Sequence, residues 1–212
     1  MLIAILTFNG FNELDSLVAL NILGRVRDKG WRVALASPSP RITSMNGVVI
    51  DGAISLEQAR AADAIIVGSG ISTREIVADG ALMAAMPMVD VSRQLVGAQC
   101  SGALILAKLG LLQNIPACTD LVTKPWVKEA GVEVLDQPFF AKGNIATAGG
   151  CLASQYLAGW IITRLAGVEA AERALQYVAP VGEKEEYVSR AMGHILRYVH
   201  NDVETPAETA AA

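Results

Sequence analysis

The chain has 212 residues, of which 52% are hydrophobic and 18% are charged, so it has enough apolar surface to bury one core. We predict a single domain over residues 1–200 and a flexible C-terminal tail over residues 201–212, which are polar and rich in alanine. The formal net charge is −4 and the basic residues are scattered, so no positive field attracts phosphates or anionic lipids. We therefore expect neither nucleic acid nor a membrane as a partner.

Two features of the sequence bear on the compartment. Residues 1–8 are apolar but too short to cross a bilayer, and they lead into a helical pattern rather than a cleavage site. The three cysteines, Cys100, Cys118 and Cys151, are an odd number that leaves at least one free thiol in any pairing scheme. Both features favour a reducing compartment, and we expect a cytoplasmic protein.

Buried strands alternate with helical patterns along the first half of the chain. Aliphatic runs predict the strands, a 3.6-residue period predicts the helices, and Asn46-Gly47 predicts a hairpin turn. In chain order the elements are a strand at 2–6, a helix from 14 to near Lys29-Gly30, a strand at 31–36, a hairpin at 41–51, a strand at 63–67, helices within 71–91 interrupted near 79–80, and a strand at 94–98.

The alternation repeats in the second half of the chain. The predicted elements are a helix at 101–109, a short element at 117–119, a helix at 123–130, strands at 132–134 and 145–147, and helices at 152–165, 168–177 and 185–198. Such alternation implies a mostly parallel sheet with helices on both faces, which binds ligands beyond the carboxyl ends of its strands. We expect the site in four loops, at residues 9–15, 68–71, 99–102 and 117–120.

The strongest local signal is a cysteine between a strand and a helix, in the segment at residues 96–103. Ala98 and Gly102 place small residues two positions before and after Cys100, which is the spacing of a nucleophile elbow. Amides at the helix N-terminus favour a thiolate, so we predict an exposed, activated thiol. The alternative is that Cys100 is a small buried hydrophobe, as most free cysteines are.

A nucleophile of this kind also needs backbone donors for an oxyanion. The loop after the preceding strand brings amides to the same cleft, and we predict that Gly70 or Ile71, together with Ser101, forms the oxyanion hole. The alternative is a dinucleotide-binding loop, which is disfavoured because Thr73 stands where the third glycine belongs.

A proton donor or acceptor is expected in the first loop, which offers Glu13 and Asp15. We interpret Glu13 as a complement to the helix dipole, whereas Asp15 stands where its carboxylate can face the thiol and share a proton with it. These residues alone leave open which of the two acids faces the thiol. The two histidines, His194 and His200, lie in the last helix and its end and are expected to be surface residues.

We expect no metal site, because the three cysteines are far apart in sequence and no histidine or carboxylate joins them at ligand spacing. Cys118 and Cys151 are interpreted as packing residues. We also expect no cofactor.

These motifs resemble those of the ThiJ/PfpI superfamily, over about the first 180 residues. The resemblance rests on the segments at 8–15, 65–70, 98–102 with 110–112, and 143–150. It implies a class I glutamine-amidotransferase-like fold: a flavodoxin-like, three-layer α/β sandwich with a mostly parallel, doubly wound sheet and a nucleophile elbow. The Leu14-Asp15 pair and the Gly-Asn-Ile-Ala-Thr-Ala-Gly-Gly segment are most similar to the isonitrile hydratase branch.

That branch implies roles for three residues. Cys100 is the nucleophile, Asp15 exchanges protons with it or orients water, and Ser101 replaces a threonine whose hydroxyl or amide helps to bind the intermediate. The superfamily further implies a small-molecule substrate and a homodimer, with the early helix near Asp15 at the interface.

The chain departs from the family pattern in ways that affect the pocket. A loop that usually reads Thr-Thr-His-Trp is here residues 118–121, Cys-Thr-Asp-Leu, so the histidine of the hydrolase and glyoxalase members is absent. Asp120 then lies in the substrate-binding loop, but it replaces that base only if burial or a neighbouring charge raises its pKa. Gly68 stands in place of the usual proline, and residues 17–19 replace a Gly-Pro, which reshapes the pocket mouth.

The resemblance, together with the residues around Cys100, implies three candidate functions. The first is isonitrile hydration to an N-substituted formamide through a Cys100 thioimidate. The second is glyoxalase-like or hydrolase chemistry on a reactive carbonyl, against which the missing histidine counts. The third is a redox-sensing protein without turnover, in which Cys100 is oxidised to a sulfinic acid. Proteolysis ranks last because no Cys-His pair is visible.

Overall fold

A computed structural model describes residues 1–26, 30–87 and 89–199 of the chain. The predicted tail at residues 201–212 and His200 lie outside the described residues. The strands are β1 (Leu2–Leu6), β2 (Arg32–Ser37), β3 (Arg41–Thr43), β4 (Val49–Asp51), β5 (Ile54–Ser55), β6 (Ala64–Val67), β7 (Leu95–Gln99), β8 (Phe139–Lys142) and β9 (Ile145–Ala148). The helices are α1 (Glu13–Leu23), α2 (Leu56–Ala59), α3 (Thr73–Ala78), α4 (Gly80–Ala85), α5 (Gly102–Lys108), α6 (Lys124–Glu129), α7 (Ser154–Ala166), α8 (Val168–Val178) and α9 (Lys184–Ile195).

A seven-stranded sheet organises the described part of the chain, with strand order β5-β2-β1-β6-β7-β9-β8. All neighbouring strands are parallel except β8, which pairs antiparallel with β9. The β1, β6 and β7 strands are almost wholly buried and consist of small and aliphatic residues, as expected for strands covered on both faces. The predicted mostly parallel α/β sheet is therefore confirmed.

Helices pack on both faces of the sheet and divide the core in two. On one face α1 and α7 to α9 bury side chains such as Ile22, Trp160 and Leu175. On the other face, helices that include α5 cover Ile65 and Leu106. Burial of each aliphatic or aromatic side chain of this size stabilises the folded state by roughly 1.5–3 kcal/mol. The two layers therefore hold in place the sheet edges that carry the loops. None of the described helices is long and apolar enough to cross a membrane.

Helix α1 is shorter than predicted. It begins after Asn12, whose side chain accepts a hydrogen bond from the Leu14 amide at 3.0 Å, and it ends at Leu23 rather than near Lys29-Gly30. Gly24 follows at once, and a glycine in a helix interior costs about 1 kcal/mol relative to alanine, which favours an end at this point. Lys29 lies outside the described residues.

The second half of the sheet also differs from the prediction. The predicted strand at residues 132–134 is only an isolated bridge between Ala117 and Val134. Strand β8 was not predicted, although Gly143 and Asn144 join it to β9 in a tight hairpin and Gly143 has a φ of 59°. The short β5 and α2 elements were missed as well. The predicted hairpin at residues 41–51 is present as the antiparallel pair of β3 and β4.

The turn from β7 into α5 requires a glycine at position 102. A Cβ atom on Gly102 would lie 2.5 Å from the Val67 carbonyl oxygen and 2.8 Å from that of Gly68. Both neighbours are backbone atoms of the adjacent strand and loop, so neither can rotate away. The start of α5 is thus held against the end of β6, which brings the two loops of the predicted site together.

We predict that Gly102→Ala lowers the free energy of unfolding by about 1–3 kcal/mol, because the new methyl group overlaps fixed backbone. The matched control is Gly193→Ala in α9, where a Cβ meets nothing within 4 Å and where alanine favours the helix by roughly 0.5–1 kcal/mol. Urea denaturation of the two variants measures the difference. Equal effects at both positions would contradict the close approach described here.

Candidate active site

Cys100 occupies the turn between β7 and α5 in a strained conformation. Its φ of 44° lies in the left-handed region, which non-glycine residues rarely adopt and which costs of order 1–3 kcal/mol. Two hydrogen bonds hold it there. Its amide donates to the Ala148 carbonyl at 2.8 Å, and the Thr119 hydroxyl donates to the Cys100 carbonyl at 2.7 Å. Hydrogen bonds to Ala148 at the end of β9 and to Thr119 therefore fix the backbone of Cys100.

The Cys100 thiol is buried rather than exposed. Only 4% of the residue is accessible, so the prediction of an exposed thiol was wrong. Burial raises the pKa of the Cys100 thiol well above its ordinary value, and the negative charge of Asp15 raises it further. These effects outweigh the stabilisation of a thiolate by amides at the helix N-terminus, because a charged sulfur here loses its hydration and faces a carboxylate.

Asp15, and not Glu13, is the carboxylate beside the thiol. It is fully buried, and its Oδ2 accepts a hydrogen bond from the Ser69 hydroxyl. Its Oδ1 accepts no N–H or O–H hydrogen bond from the described residues. Burial raises the pKa of Asp15, while hydrogen bonding from Ser69 and the neighbouring thiols opposes that shift. The group is thus a carboxyl that can hold a proton nearer to neutral pH than an exposed aspartate.

Glu13 has a different role from Asp15. Its carboxylate accepts hydrogen bonds from the Ser44 hydroxyl and from the amide and side chain of Asn46. These contacts tie the start of α1 to the hairpin of β3 and β4, and they lower the pKa of Glu13. Glu13 therefore stabilises the loop and does not face the thiol.

Cys151 lies in the same cluster, which corrects its interpretation as a packing residue. The Sγ atoms of Cys100 and Cys151 and a carboxylate oxygen of Asp15 all lie within 4.8 Å of one another. The Asn12 side-chain amide donates to Cys151 Sγ at 3.2 Å. Burial raises the pKa of the Cys151 thiol, and the Asp15 charge adds to the shift.

Strand register explains why the two cysteines meet despite their separation in sequence. Strands β7 and β9 are parallel neighbours, and Gln99 at the end of β7 pairs with Ala148 at the end of β9. The residues just beyond both strand ends therefore emerge at the same sheet edge. A cysteine after each of two adjacent parallel strands is the signal in the sequence that could have identified the pair.

The donor atoms of Asp15, Cys100 and Cys151 form a set that a soft metal ion can use, contrary to the expectation that no carboxylate joins the cysteines. Metal binding requires that both thiols lose their protons, and the pKa of each is raised by burial. We therefore describe these three groups as a proton-sharing cluster.

Ser101, which follows Cys100 in the chain, lies against Gly70. The Gly70 amide donates to the Ser101 hydroxyl at 3.2 Å, and the hydroxyls of Ser101 and Thr73 are 2.7 Å apart. The amide of Ile71, by contrast, donates to the Gly10 carbonyl at 3.0 Å. In this conformation the Ile71 amide is therefore not free to donate to an oxyanion, as the predicted oxyanion hole would require.

A cavity of about 440 Å³ opens above the thiol, within the size range of small-molecule sites. Cys100, Ser101, Gly70, Ile71 and Asp120 all line it, while Asp15 lies beneath its floor. The remaining lining residues supply apolar walls and a few polar groups: Asn12, Met45, Ser69, Thr73, Arg74, Val122, Thr123, Trp126 and Cys151. A larger depression of about 720 Å³ lies between α8 and α9, away from these groups.

Asp120 caps the turn before α6. Its Oδ1 accepts hydrogen bonds from the amides of Val122 at 3.0 Å and Thr123 at 2.9 Å. Its charge also raises the pKa of Asp15 and of Cys100. Asp120 thus shapes the loop in which the family histidine is missing.

The remaining titratable groups singled out in the sequence lie elsewhere. Cys118 is fully buried outside the cavity, and burial raises its pKa to about 12. His194 packs against the Tyr156 ring with 4.8 Å between ring centroids. No histidine is among the described residues that line the cavity above Cys100.

The family is established by comparison with known proteins. The sequence model of the DJ-1/PfpI family matches residues 1–164, so the chain belongs to the DJ-1/PfpI family. Curated protein sequences give no match.

Solved structures share the fold at low sequence identity. A ThiJ/PfpI family protein from Pseudomonas syringae is 18% identical, with a TM-score of 0.73 over 92% of this chain and 88% of that one. Drosophila melanogaster DJ-1beta is 19% identical, with a TM-score of 0.70 over 84% and 96%. Oxidized Toxoplasma gondii DJ-1 is 18% identical, with a TM-score of 0.68 over 84% and 97%. At these identities the likeness is one of fold.

The raised pKa of Asp15 predicts how stability depends on pH. A carboxyl with a folded pKa above its unfolded value stabilises the fold at low pH, and this contribution is lost as pH rises from about 4 through the folded pKa. Relative to Asp15→Asn, the native protein should therefore lose stability as the pH rises from about 4 through the folded pKa of Asp15, by about 1.4 kcal/mol for each pH unit by which that pKa is raised. Urea denaturation of both proteins across this range measures the loss, and parallel stability curves would contradict it.

Proposed function

We propose that the protein is a cysteine-dependent enzyme that acts on a small electrophile with an apolar substituent, and that isonitrile hydration is its reaction. The observation that carries this proposal is the Asp15 carboxyl, within 4.8 Å of the Cys100 sulfur at the floor of the cavity. A thiol with a high pKa is a weak nucleophile unless a base takes its proton as it attacks. Asp15 is placed to act as that base.

The first half of the reaction adds the thiol across the terminal carbon of the isonitrile. The Cys100 proton passes to Asp15, the sulfur forms a bond to the carbon, and Asp15 returns the proton to the same carbon. The product is a thioimidate, in which the carbon carries one hydrogen, the sulfur and a double bond to nitrogen. No free thiolate has to exist before substrate arrives, which is consistent with the raised pKa of Cys100.

The second half releases the product with water. Asp15 takes a proton from a water molecule as the water oxygen adds to the thioimidate carbon, and Asp15 then passes that proton to the nitrogen. The new hydroxyl gives its proton through Asp15 to the sulfur as the carbon–sulfur bond breaks, and an N-substituted formamide leaves. We propose that the hydroxyl and amide of Ser101 stabilise the intermediate, with Gly70 orienting that hydroxyl through its 3.2 Å hydrogen bond.

The cavity walls favour a substrate with an apolar group next to the reacting carbon. Met45, Val122 and Trp126 line the space above the sulfur, and the Arg74 guanidinium lies 4.9 Å from the Trp126 ring centroid. A glyoxalase-like reaction on a carbonyl fits less well, because no histidine among the described residues lines the cavity to move a second proton.

A second candidate function is redox sensing, in which Cys100 is oxidised without turnover. It is favoured by the buried position of Cys100 beside a carboxyl that can hydrogen bond to a sulfinic acid.

We also propose that the protein is a homodimer that pairs near α1. Several large apolar side chains are exposed, among them Leu14 in α1, Ile71 at the cavity and Leu121, which is 80% accessible. Burial of exposed apolar side chains is what an interface between two copies of the chain would supply.

We predict that the purified protein converts cyclohexyl isonitrile to N-cyclohexylformamide. Chromatography of the product measures the rate of this reaction. Cys100→Ala should reduce the rate to background, and Asp15→Asn should lower kcat by about 10²–10⁴-fold, because the proton acceptor is lost. The matched control is Cys118→Ala, which removes a buried thiol outside the cavity and should leave kcat unchanged. Formamide production at equal rates by Cys100→Ala and the native protein would contradict a covalent mechanism, and no production by the native protein would favour the redox candidate.

A further inference from the structure

Two thiols line the floor of the cavity with one carboxyl beneath them, and the proposed hydration uses only one of the thiols. Cys151 lines the same cavity as Cys100 and is partly accessible, so a small oxidant that enters reaches both sulfurs. Asp15 lies beside both thiols, with one carboxylate oxygen within 4.8 Å of each sulfur. The unused thiol is therefore part of a paired arrangement rather than an isolated cysteine.

We propose that Cys151 is a resolving cysteine: a hydroperoxide oxidises Cys100, and Cys151 then forms a disulfide with it that closes the site reversibly. The inference goes beyond hydration, since it needs the two sulfurs and the carboxyl but no isonitrile.

The geometry allows the bond with local movement. The two sulfurs lie within 4.8 Å of each other, and a disulfide brings them to about 2.0 Å, so rotation of the side chains must close the remaining gap. Cys151 begins a short 3₁₀ turn, Cys151–Ala153, directly after Gly150, whose φ of 91° places a flexible residue next to it. Cys100 is the rigid partner, since hydrogen bonds hold its backbone on both sides.

The first step oxidises Cys100 by two electrons. The thiol proton passes to Asp15, the sulfur attacks one oxygen of the hydroperoxide, and the oxygen–oxygen bond breaks. The departing oxygen takes the proton from Asp15 and leaves as an alcohol, or as water when the oxidant is hydrogen peroxide. Cys100 is now a sulfenic acid.

The second step joins the two cysteines. The Cys151 proton passes to Asp15, the Cys151 sulfur attacks the Cys100 sulfur, and the sulfur–oxygen bond of the sulfenic acid breaks. Hydroxide takes the proton from Asp15 and leaves as water. The Asn12 amide, which donates to Cys151 Sγ at 3.2 Å, stabilises the negative charge that develops on the attacking sulfur. In sum, two thiols and one hydroperoxide give a disulfide, an alcohol and water.

The disulfide would protect the nucleophile. A sulfenic acid without a thiol partner is oxidised further to sulfinic acid, which is not reversed by ordinary thiols. With Cys151 in place, Cys100 is instead stored in a form that a dithiol restores. Activity should therefore fall under peroxide and return on reduction.

Peptide mapping tests the proposal directly, because trypsin places each cysteine on its own peptide, at residues 94–108, 109–128 and 143–164. The native protein and Cys151→Ser are each treated with three equivalents of hydrogen peroxide, since each oxygen added to sulfur consumes one peroxide, and are then blocked with iodoacetamide and mapped without reduction. We expect loss of two hydrogens in the intact mass, a cross-link between peptides 94–108 and 143–164, and its disappearance with dithiothreitol. In Cys151→Ser, Cys100 should instead gain two or three oxygen atoms that dithiothreitol does not remove.

The control variant is Cys118→Ala, which should form the same cross-link as the native protein. If this variant does not fold, the peptide map of the native protein still identifies which cysteines are joined. The proposal is overturned if Cys100 of the native protein gains oxygen while Cys151 is recovered alkylated, or if the cross-link joins two chains or involves Cys118. The intact mass separates a cross-link within one chain from one between two chains, and the peptide map shows the other outcomes. All of them are independent of whether isonitriles are turned over.

Discussion

The close approach of a buried carboxyl to a buried thiol is the constraint on which the site depends. Asp15 is fully buried and has one oxygen without an N–H or O–H partner, an arrangement that is costly for a charged carboxylate. Burial raises the pKa of Asp15, and burial together with the Asp15 charge raises that of Cys100. One proton shared by the pair removes most of this cost. The pair is therefore most stable when it holds this one proton, and it becomes reactive when a substrate accepts or displaces that proton.

The parallel sheet makes this approach possible, because it delivers chemically different loops to one edge. Strand β1 leads to Asp15, β6 to Ser69 and Gly70, and β7 and β9 to the two cysteines. Glycines permit the close contacts between these loops. A Cβ on Gly70 would lie 2.6 Å from the Gly10 carbonyl oxygen, just as one on Gly102 would overlap the Val67 carbonyl. The strain at Cys100 is sustained by this packing.

Most of the fold could be predicted from the sequence, whereas the site could be predicted only in part. Long aliphatic runs identify the buried central strands, and the cysteine between a strand and a helix identifies the turn at Cys100. Short elements such as β5 and β8 were not predicted, because two to four residues are too few to show a periodic pattern. The role of Cys151 depends on which strands are neighbours and on their register, which local patterns do not contain.

Burial was the property that sequence reasoning predicted wrongly. A helix N-terminus next to Cys100 suggests a low thiol pKa, but the packing of neighbouring loops around the sulfur is a tertiary effect of opposite sign. The same packing separates the roles of Glu13 and Asp15, two residues apart in one helical turn. The first turns outward to the Asn46 loop and the second inward to the thiol.

The most direct test of the shared proton is the pH dependence of Cys100 alkylation by iodoacetamide. The rate is measured on peptide 94–108 in the native protein and in Asp15→Asn. The native thiol should show an apparent pKa above the ordinary value of about 8.5. Asparagine removes the negative charge while keeping the shape of the side chain, so the profile should move to lower pH and alkylation at neutral pH should become faster. A profile that is unchanged by the substitution, or that moves to higher pH, would contradict the account.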